Sequence, residues 1–361
     1  NILLKYMSKH ILLVEPDYYS QYPPIGLLKL STYFKNKGYT TELIKGCKFP
    51  GKKPDSIFIT SLFTWTWKPV WKAVKYYKMW YPQAETWLGG IYASVLPEHA
   101  KLSGVDHICQ GVFADAEEVV PDYSLKPDWD GSIIFSSRGC NRKCGFCAVP
   151  MIEGKFNSAR SSIKKYVWPS HSRIIFFDNN FLWNPHKDEI FEELREIGKR
   201  VDFNQGLDAR LITDETARNL GEIPLDDKAG IRIAYDTNEQ KKAVENAIQR
   251  LSENNISKRK VFVYTLFNYN DTPESFLERV LDILHWGAVC YPMRYEPLVT
   301  LEKNQYISPN WTKQQLEAVQ KARRVIGFNG IFPPYKALIN KFERAGNFDE
   351  AFELREPKGA E

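Results

Sequence analysis

Apolar runs alternate with helix-like segments along most of the chain, and that alternation restricts the fold more than any other feature. "HILLVEP" (10–16) is a continuous apolar run ended by a turn, which suits a strand buried on both faces of a parallel sheet. "PPIGLLKLSTYFKNKGY" follows, with Ile25, Leu28, Tyr33 and Phe34 near helical spacing and Gly38 where a helix would stop. Then come "TTELIK", "DSIFITS", a helix from about Pro69 to Trp80, "ETWLGG" and "HICQG". Strand then helix, repeated at intervals of roughly 25 to 30 residues, predicts a doubly wound open sheet over 8–120, with its binding site at the carboxyl ends of the strands.

"PDYSLKPDWDG" (121–131), with its prolines, glycine and aspartates, reads as a linker. A second alternation follows, with strands at "SIIFSS" (132), "RIIFFD" (173), "VDFNQ" (201), "IRIAYD" (231), "KVFVYTL" (260) and "AVCYPMR" (288). Helices are expected near 161–167, 187–199, 213–220, 239–254 and 274–286. Six strands each followed by a helix predict a partial (β/α)6 TIM-type barrel over 132–298, whose loops at one end build the active site. The region 299–361, including "WTKQQLEAVQKARRVIG", reads as a helical tail that packs outside or caps the barrel. The fold class is therefore α/β: a Rossmann-like sheet, a partial barrel and a helical C-terminal region. "NILLKY" ahead of Met7 reads as an upstream extension.

At 361 residues, with 43% hydrophobic and 26% charged residues, the chain affords two cores without disulfide staples. The net charge of +5 is spread out, "SKRK" (257–260) being its densest run, so nucleic acid is not signalled. Neither a secretory pattern nor eighteen consecutive apolar residues occurs, which predicts no membrane span and a reducing, cytoplasmic setting. In that setting a tight group of cysteines reads as a metal site.

Such a group lies in "SSRGCNRKCGFCAVP" (136–150), where Cys140, Cys144 and Cys147 fall within eight residues. Zinc would need a fourth ligand. The next histidine downstream is His171, and Cys47, Cys109 and Cys290 stand far off and singly. A four-iron cluster held by three thiolates leaves one iron open for a substrate or cofactor. Gly139 and Gly145 would let the backbone approach a cluster, with Phe146 as an apolar shield.

"CNRKCGFC" resembles the Cys-x3-Cys-x2-Cys signature of the radical S-adenosylmethionine superfamily, down to the aromatic residue before the third cysteine. The resemblance implies that Cys140, Cys144 and Cys147 hold a [4Fe-4S] cluster whose fourth iron chelates S-adenosylmethionine. One electron would then cleave it to methionine and a 5'-deoxyadenosyl radical, which abstracts hydrogen from a substrate. "YPPIGLLKLSTYFKNKGY" and "WLGGIYAS" resemble the B12-binding-type domain of the superfamily's cobalamin class, so the likeness covers most of 8–300. Of three elements in such domains, Asp-x-His-x-x-Gly is absent, because no histidine lies between His10 and His99. Ser-x-Leu survives in shifted form as Ser61 of "TSLFT", and Gly-Gly as Gly89 and Gly90. These three residues are the implied cobalamin contacts. A missing histidine implies either a cobalamin without that lower ligand, as in methyltransferase members, or a domain that has dropped cobalamin. Trp65, Trp67 and Trp71 would cover a corrin face or fill the interdomain core.

Polar residues at strand ends supply further candidates. Phe146, Asp178, Gln205, Asp208, Arg210, Arg232 and Asp236 are expected at S-adenosylmethionine, where carboxylates and guanidiniums suit its ribose, amino and carboxylate groups. Asn179 and Asn180 adjoin Asp178, and Tyr264 ends the fifth strand. Asn268, Arg294 and Glu296 are expected at the substrate. Glu153, Gly154 and Arg160 are cofactor candidates, and Cys290 a candidate hydrogen donor. The expected activity is cobalamin-dependent methylation of an unactivated carbon, served by an electron donor such as a flavodoxin or ferredoxin and acting on a small molecule or peptide. The alternatives are a cobalamin-independent radical reaction (rearrangement, oxidation or sulfur insertion) and a non-catalytic, metal-stabilised binding module. Methylthiolation is disfavoured, since the N-terminal region lacks three cysteines for a second cluster.

Overall fold

The apolar run at the start becomes strand β1 (His10–Glu15), all six of whose residues are buried. A strand covered on both faces needs neighbours on both edges, and β1 has them in β2 (Thr40–Lys45) and β3 (Ser56–Ser61). With β4 (Glu85–Gly90) and β5 (His107–Ile108) they form a parallel sheet of order β2-β1-β3-β4-β5. Helices α1 (Ile25–Asn36), α2 (Trp67–Trp80), α3 (Ile91–Val95) and α4 (Pro97–Lys101) connect it. The strand order reverses between β1 and β3, which makes their carboxyl ends the switch point of the sheet. The structure, a computed structural model, describes residues 9–326, 331 and 336–353, so "NILLKY" and Met7 lie outside the described residues.

The second half carries six more strands. β6 (Ser132–Ile134), β7 (Arg173–Phe176) and β8 (Arg200–Phe203) form one parallel sheet, and β9 (Ile231–Ala234), β10 (Val261–Phe267) and β11 (Val289–Arg294) another. Past the end of β8, a parallel bridge from Leu207 to Ile233 on β9 links the two sheets, so the strands follow one another in chain order. Side-chain parity divides the two surfaces. Ile174, Phe176, Val201, Phe203, Ile231, Ile233, Val261 and Val263 pack in one core with the surrounding helices, while Asp202, Arg232 and Tyr264 take the opposite face. The short α5 (Val149–Ile152) follows the cysteines; α6 (Lys187–Ile197), α7 (Asp214–Glu222), α8 (Lys241–Glu253) and α9 (Pro273–Trp286) alternate with the strands.

The structure departs from the sequence reading in three places. The helix expected at 161–167 is a single turn, Lys164–Tyr166, because a segment so short, closed by Pro169, cannot repay helix nucleation. α3 and α4 were not expected after Gly90. The presumed linker is docked, with Asp122 accepting from Ser31 and Lys35 and the buried Tyr123 hydroxyl accepting from Ile133 N at 2.7 Å. The tail holds α10 (Lys313–Ile326), α11 (Lys336–Arg344) and α12 (Phe348–Phe352); its positions 327–330, 332–335 and 354–361 lie outside the described residues. Among the described residues no helix is long and apolar enough to cross a membrane.

Several contacts join the halves. Tyr22, on the β1–α1 loop, packs edge-on against Phe177 at 5.0 Å, and its hydroxyl accepts from Asn204. Thr64 Oγ1 donates to Thr300 O at 2.5 Å. Glu117 accepts from Lys29 Nζ at 2.9 Å and from Arg138 Nε and Nη2 at 2.8 and 2.9 Å. The Arg138 guanidinium stacks on Phe135 at 3.4 Å, and Arg160 pairs with Glu118 at 2.5 Å.

Candidate active site

The chain leaves β6 through Ser136 and Ser137 and turns at once into the cysteine loop. Asp178 fixes that exit. Its carboxylate accepts from Ser136 N at 3.0 Å, Ser136 Oγ at 2.5 Å and Ser137 Oγ at 2.8 Å. Two positions past Ser137, Gly139 has φ of 71°, and a Cβ there would lie 2.0 Å from Lys155 O. Glycine is required on both counts. Glu153 holds the same turn by accepting from Arg138 Nη1 at 3.0 Å, Gly139 N at 2.9 Å and Asn179 Nδ2 at 2.8 Å. Cys140, Cys144 and Cys147 emerge from this bracing as free, partly exposed thiols. Burial first, then the neighbouring cysteines, pushes the Cys144 and Cys147 thiols up.

The three thiols open on a cavity of about 190 Å³ at the carboxyl ends of β7 to β10. Phe146, Gln205, Asp208, Arg210 and Asp236 line it with them, so the structure brings these expected residues together. Asn180 and Tyr264 join them, as do the apolar Leu207, Ile233 and Val244. Burial alone would raise Asp208, but Arg210 Nε at 2.7 Å and Arg142 Nε at 2.9 Å hold it below the usual carboxylate range. Asp236 has no such partner; burial pushes it up to about 6, against a single hydrogen bond from Leu266 N. Asn180 Oδ1 is buried and lacks a hydrogen-bond partner among the described residues. An unmet acceptor in a cavity wall costs free energy unless a ligand or water donates to it.

Other expected residues face elsewhere. Asp178 does not line the cavity; its carboxylate is spent on the two serines. Arg232 pairs with Asp202 on the adjacent strand, beside Tyr22 and Tyr264, rather than with Asp236. Asn268, Arg294 and Glu296 brace the segment 295–308 instead of facing open space. Asn268, fully buried at φ 67°, donates to Tyr306 O at 3.0 Å and accepts from Ser308 N at 2.8 Å. Arg294 donates to Asn304 O and Tyr306 O, and Glu296 accepts from Asn304 N. Arg160 is taken by Glu118 and Phe135 O. Cys290 is fully buried against Thr265, its thiol pushed up to about 12 by burial. Sequence reasoning missed Arg142, whose signal was a cation inside the cysteine loop. It also missed Gln240, whose Oε1 accepts from Asp236 N at 2.6 Å.

At the N-terminal sheet, Ser61 is buried and internally satisfied, donating to Gly89 O at 2.7 Å and accepting from Ala93 N at 3.2 Å. Gly90 has φ of 96°, and a Cβ there would lie 2.1 Å from Ser61 O, so this glycine permits the close approach of β4 to β3. The three tryptophans part company. Trp67 and Trp71 pack together at 4.8 Å beside Tyr92 and His99. Trp65 stacks face to face on the exposed Phe63 at 4.6 Å, with Lys303 Nζ 5.7 Å above it.

No protein-family model and no curated protein matches the chain. Solved structures do, two of them of TsrM from Kitasatospora setae, described as a radical S-adenosylmethionine methyltransferase. One, with cobalamin and a [4Fe-4S] cluster bound, has a TM-score of 0.65 at 14% identity and covers 81% of this chain and 77% of its own. The other, with tryptophan substrate and the analogue aza-SAM bound, has a TM-score of 0.66 at 14% identity and covers 88% and 77%. At such identity the likeness is one of fold: α/β with parallel sheets.

Proposed function

We propose that this protein is a radical S-adenosylmethionine enzyme. Cys140, Cys144 and Cys147 would hold a [4Fe-4S] cluster, the adjoining cavity S-adenosylmethionine, and the N-terminal sheet a cobalamin used to methylate the substrate. We read the six strands of the second half as the partial barrel of that superfamily. The observation that carries the proposal is the sharing of one cavity by three thiols, an unmet buried acceptor on Asn180 and two differently tuned carboxylates. Among the described residues no three His, Cys, Asp or Glu side chains converge as for a single metal ion; a cluster instead takes each thiolate on a different iron.

Held by Cys140, Cys144 and Cys147, such a cluster would supply the one electron needed for reductive cleavage of S-adenosylmethionine. The chain's own residues set the conditions for that chemistry. Asn180 Oδ1 is free to accept from the amino group of the ligand. Asp208, kept ionised by Arg210 and Arg142, offers a fixed anion, and Gln205 a neutral amide. Asp236, when ionised, would add negative charge to the cavity wall. Phe146, Leu207, Ile233 and Val244 keep water from a reactive carbon radical.

Anaerobic reconstitution with iron and sulfide tests the reading. A brown protein that cleaves S-adenosylmethionine under reductant is expected; a colourless zinc protein that leaves it intact refutes it. A second reading keeps the radical chemistry without cobalamin, and the Ser61–Gly90 contact favours it, because that contact accounts for both residues without a cofactor. Cobalamin retention through anaerobic purification separates the two.

A further inference from the structure

Regular structure does not hold the first two cysteines in place, since residues 139–144 belong to no helix or strand. Cys147 differs: it leads into α5, and its sulfur takes the backbone N–H of Val149 there. Cys140 also accepts a backbone N–H, from Arg142 at 3.4 Å. Where that N–H points depends on what anchors residue 142, and the anchor is its own side chain. Arg142 reaches the connection after β8 and gives Asp208 Oδ2 two bonds, from Nε at 2.9 Å and from Nη2 at 2.8 Å. Its guanidinium carbon lies 5.9 Å from the centre of the Trp183 ring, within cation–π range. Asp208 is itself fixed, because its Oδ1 accepts from Arg210 N at 3.2 Å and Arg210 Nε at 2.7 Å, and only 6% of its side chain is exposed.

We propose that Arg142 is a positioning residue: clamped by Asp208, it holds its own backbone N–H on the sulfur of Cys140 and so sets how firmly, and at what potential, that thiolate keeps its iron. The proposal rests on the cluster assignment above. A group that orients a metal ligand contributes to retention of the metal, and its loss typically costs 10–100-fold in affinity. A hydrogen bond to a cluster thiolate also favours the more negative, reduced state and raises the potential. The Arg142–Asp208 pair carries no net charge between its two partners. Its effect on Cys140 is therefore one of geometry, which distinguishes it from a charge placed near the cluster.

The test uses the full chain reconstituted anaerobically with iron and sulfide. It measures the rate of iron release to a chelator and the cluster midpoint in a redox titration followed by EPR, and neither readout needs S-adenosylmethionine. Arg142→Gln and Asp208→Asn should each speed release about tenfold, and the double substitution should do no more than either alone, because each removes the same clamp. Arg142→Lys, which can keep one ion pair, should release iron more slowly than Arg142→Gln. Arg210→Gln leaves the bonds of Arg142 in place and should stay within about twofold of the wild type. The double variant loses one positive and one negative charge, so net charge predicts an unchanged midpoint. Loss of the bond to Cys140 predicts a lower one, with the ratio of reduced to oxidised cluster at a fixed potential about tenfold smaller, or about 59 mV for one electron. Release rates that multiply in the double variant, equal release from Arg210→Gln and Asp208→Asn, or a wild-type midpoint in the double variant overturns the proposal and leaves the cluster assignment standing. A wild type that takes up no [4Fe-4S] cluster refutes that assignment, and the proposal with it.

Discussion

Gly139 and Gly154 both have left-handed backbones, with φ of 71° and 74°, and comparing them isolates what holds the cysteine loop. A Cβ at Gly154 meets nothing within 4 Å, whereas one at Gly139 lies 2.0 Å from Lys155 O and 2.5 Å from Lys155 C. Alanine in this region costs about 1–2 kcal/mol, part of which is returned by about 0.4–1 kcal/mol from the stiffer unfolded chain. Gly154→Ala should therefore destabilise by about 1 kcal/mol. Gly139→Ala bears the same strain and must also push the Lys155 carbonyl back from 2.0 Å to at least 3.4 Å. That movement breaks the bond from Gly139 N to the Glu153 carboxylate, a charge-assisted bond between part-buried groups worth about 1.5–3 kcal/mol. The total for Gly139→Ala is about 2.5–4 kcal/mol. Urea unfolding of the apoprotein measures the difference, and iron per chain after reconstitution reports whether the three thiols still converge. Equal midpoints and equal iron in the two variants would refute the reasoning.

Asp236 is raised by burial to about 6 from an ordinary 3.8, so between about pH 4 and 6 the folded protein keeps a proton that the unfolded chain has lost. Stability should fall by about 2–3 kcal/mol as pH rises through that window, and Asp236→Asn should abolish this component in paired urea titrations at pH 4.5 and 7.5. Arg232→Met should cost about 3–5 kcal/mol by stranding Asp202, while Asp202→Leu/Arg232→Met should recover most of it, which a double-mutant cycle reads directly. Trp65→Ala should leave the unfolding midpoint nearly unchanged, since Trp65 stacks outside the core. If cobalamin binds at the switch point, the same change should weaken its retention about tenfold, measured by the visible spectrum of the purified protein.

Which parts of this were legible in the chain follows from the range of the interactions. Strands such as "HILLVE" and "ETWLGG" declared themselves because a doubly covered strand must be apolar along its length. The cysteine loop was legible because its chemistry and its glycine lie within a few residues of each other. Asp178 was placed at the cofactor because it follows a strand end, and only the fold shows its carboxylate bonded to Ser136 and Ser137, some forty residues away, while Asn179 and Asn180 line the cavity. Arg232 was placed at the cofactor because its partner, Asp202, sits on another strand some thirty residues away. Asn268, Arg294 and Glu296 looked like substrate residues because they end strands, and only the return of 295–308 over those ends shows them bonding its backbone, while Arg294 Nε and Glu296 Oε2 stay buried without a hydrogen-bond partner among the described residues. Arg142 and Gln240 carry no distinguishing pattern, since a cation in a loop and a glutamine at a helix start are common.

The proline- and aspartate-rich stretch after residue 120 looks like a place where evolution or an engineer could cut and paste. The charges at Glu117 and Glu118 make it otherwise. They are encoded before the stretch, yet they neutralise Arg138 and Arg160, which are encoded after it and have about a tenth of their side chains exposed. The second half transplanted without its upstream neighbour would carry Arg160 without its carboxylate partners and Arg138 with Glu153 alone beside the cysteine loop, while Glu117 in the severed half would keep only Lys29. A graft of the second half onto a foreign partner must therefore bring the two glutamates with it.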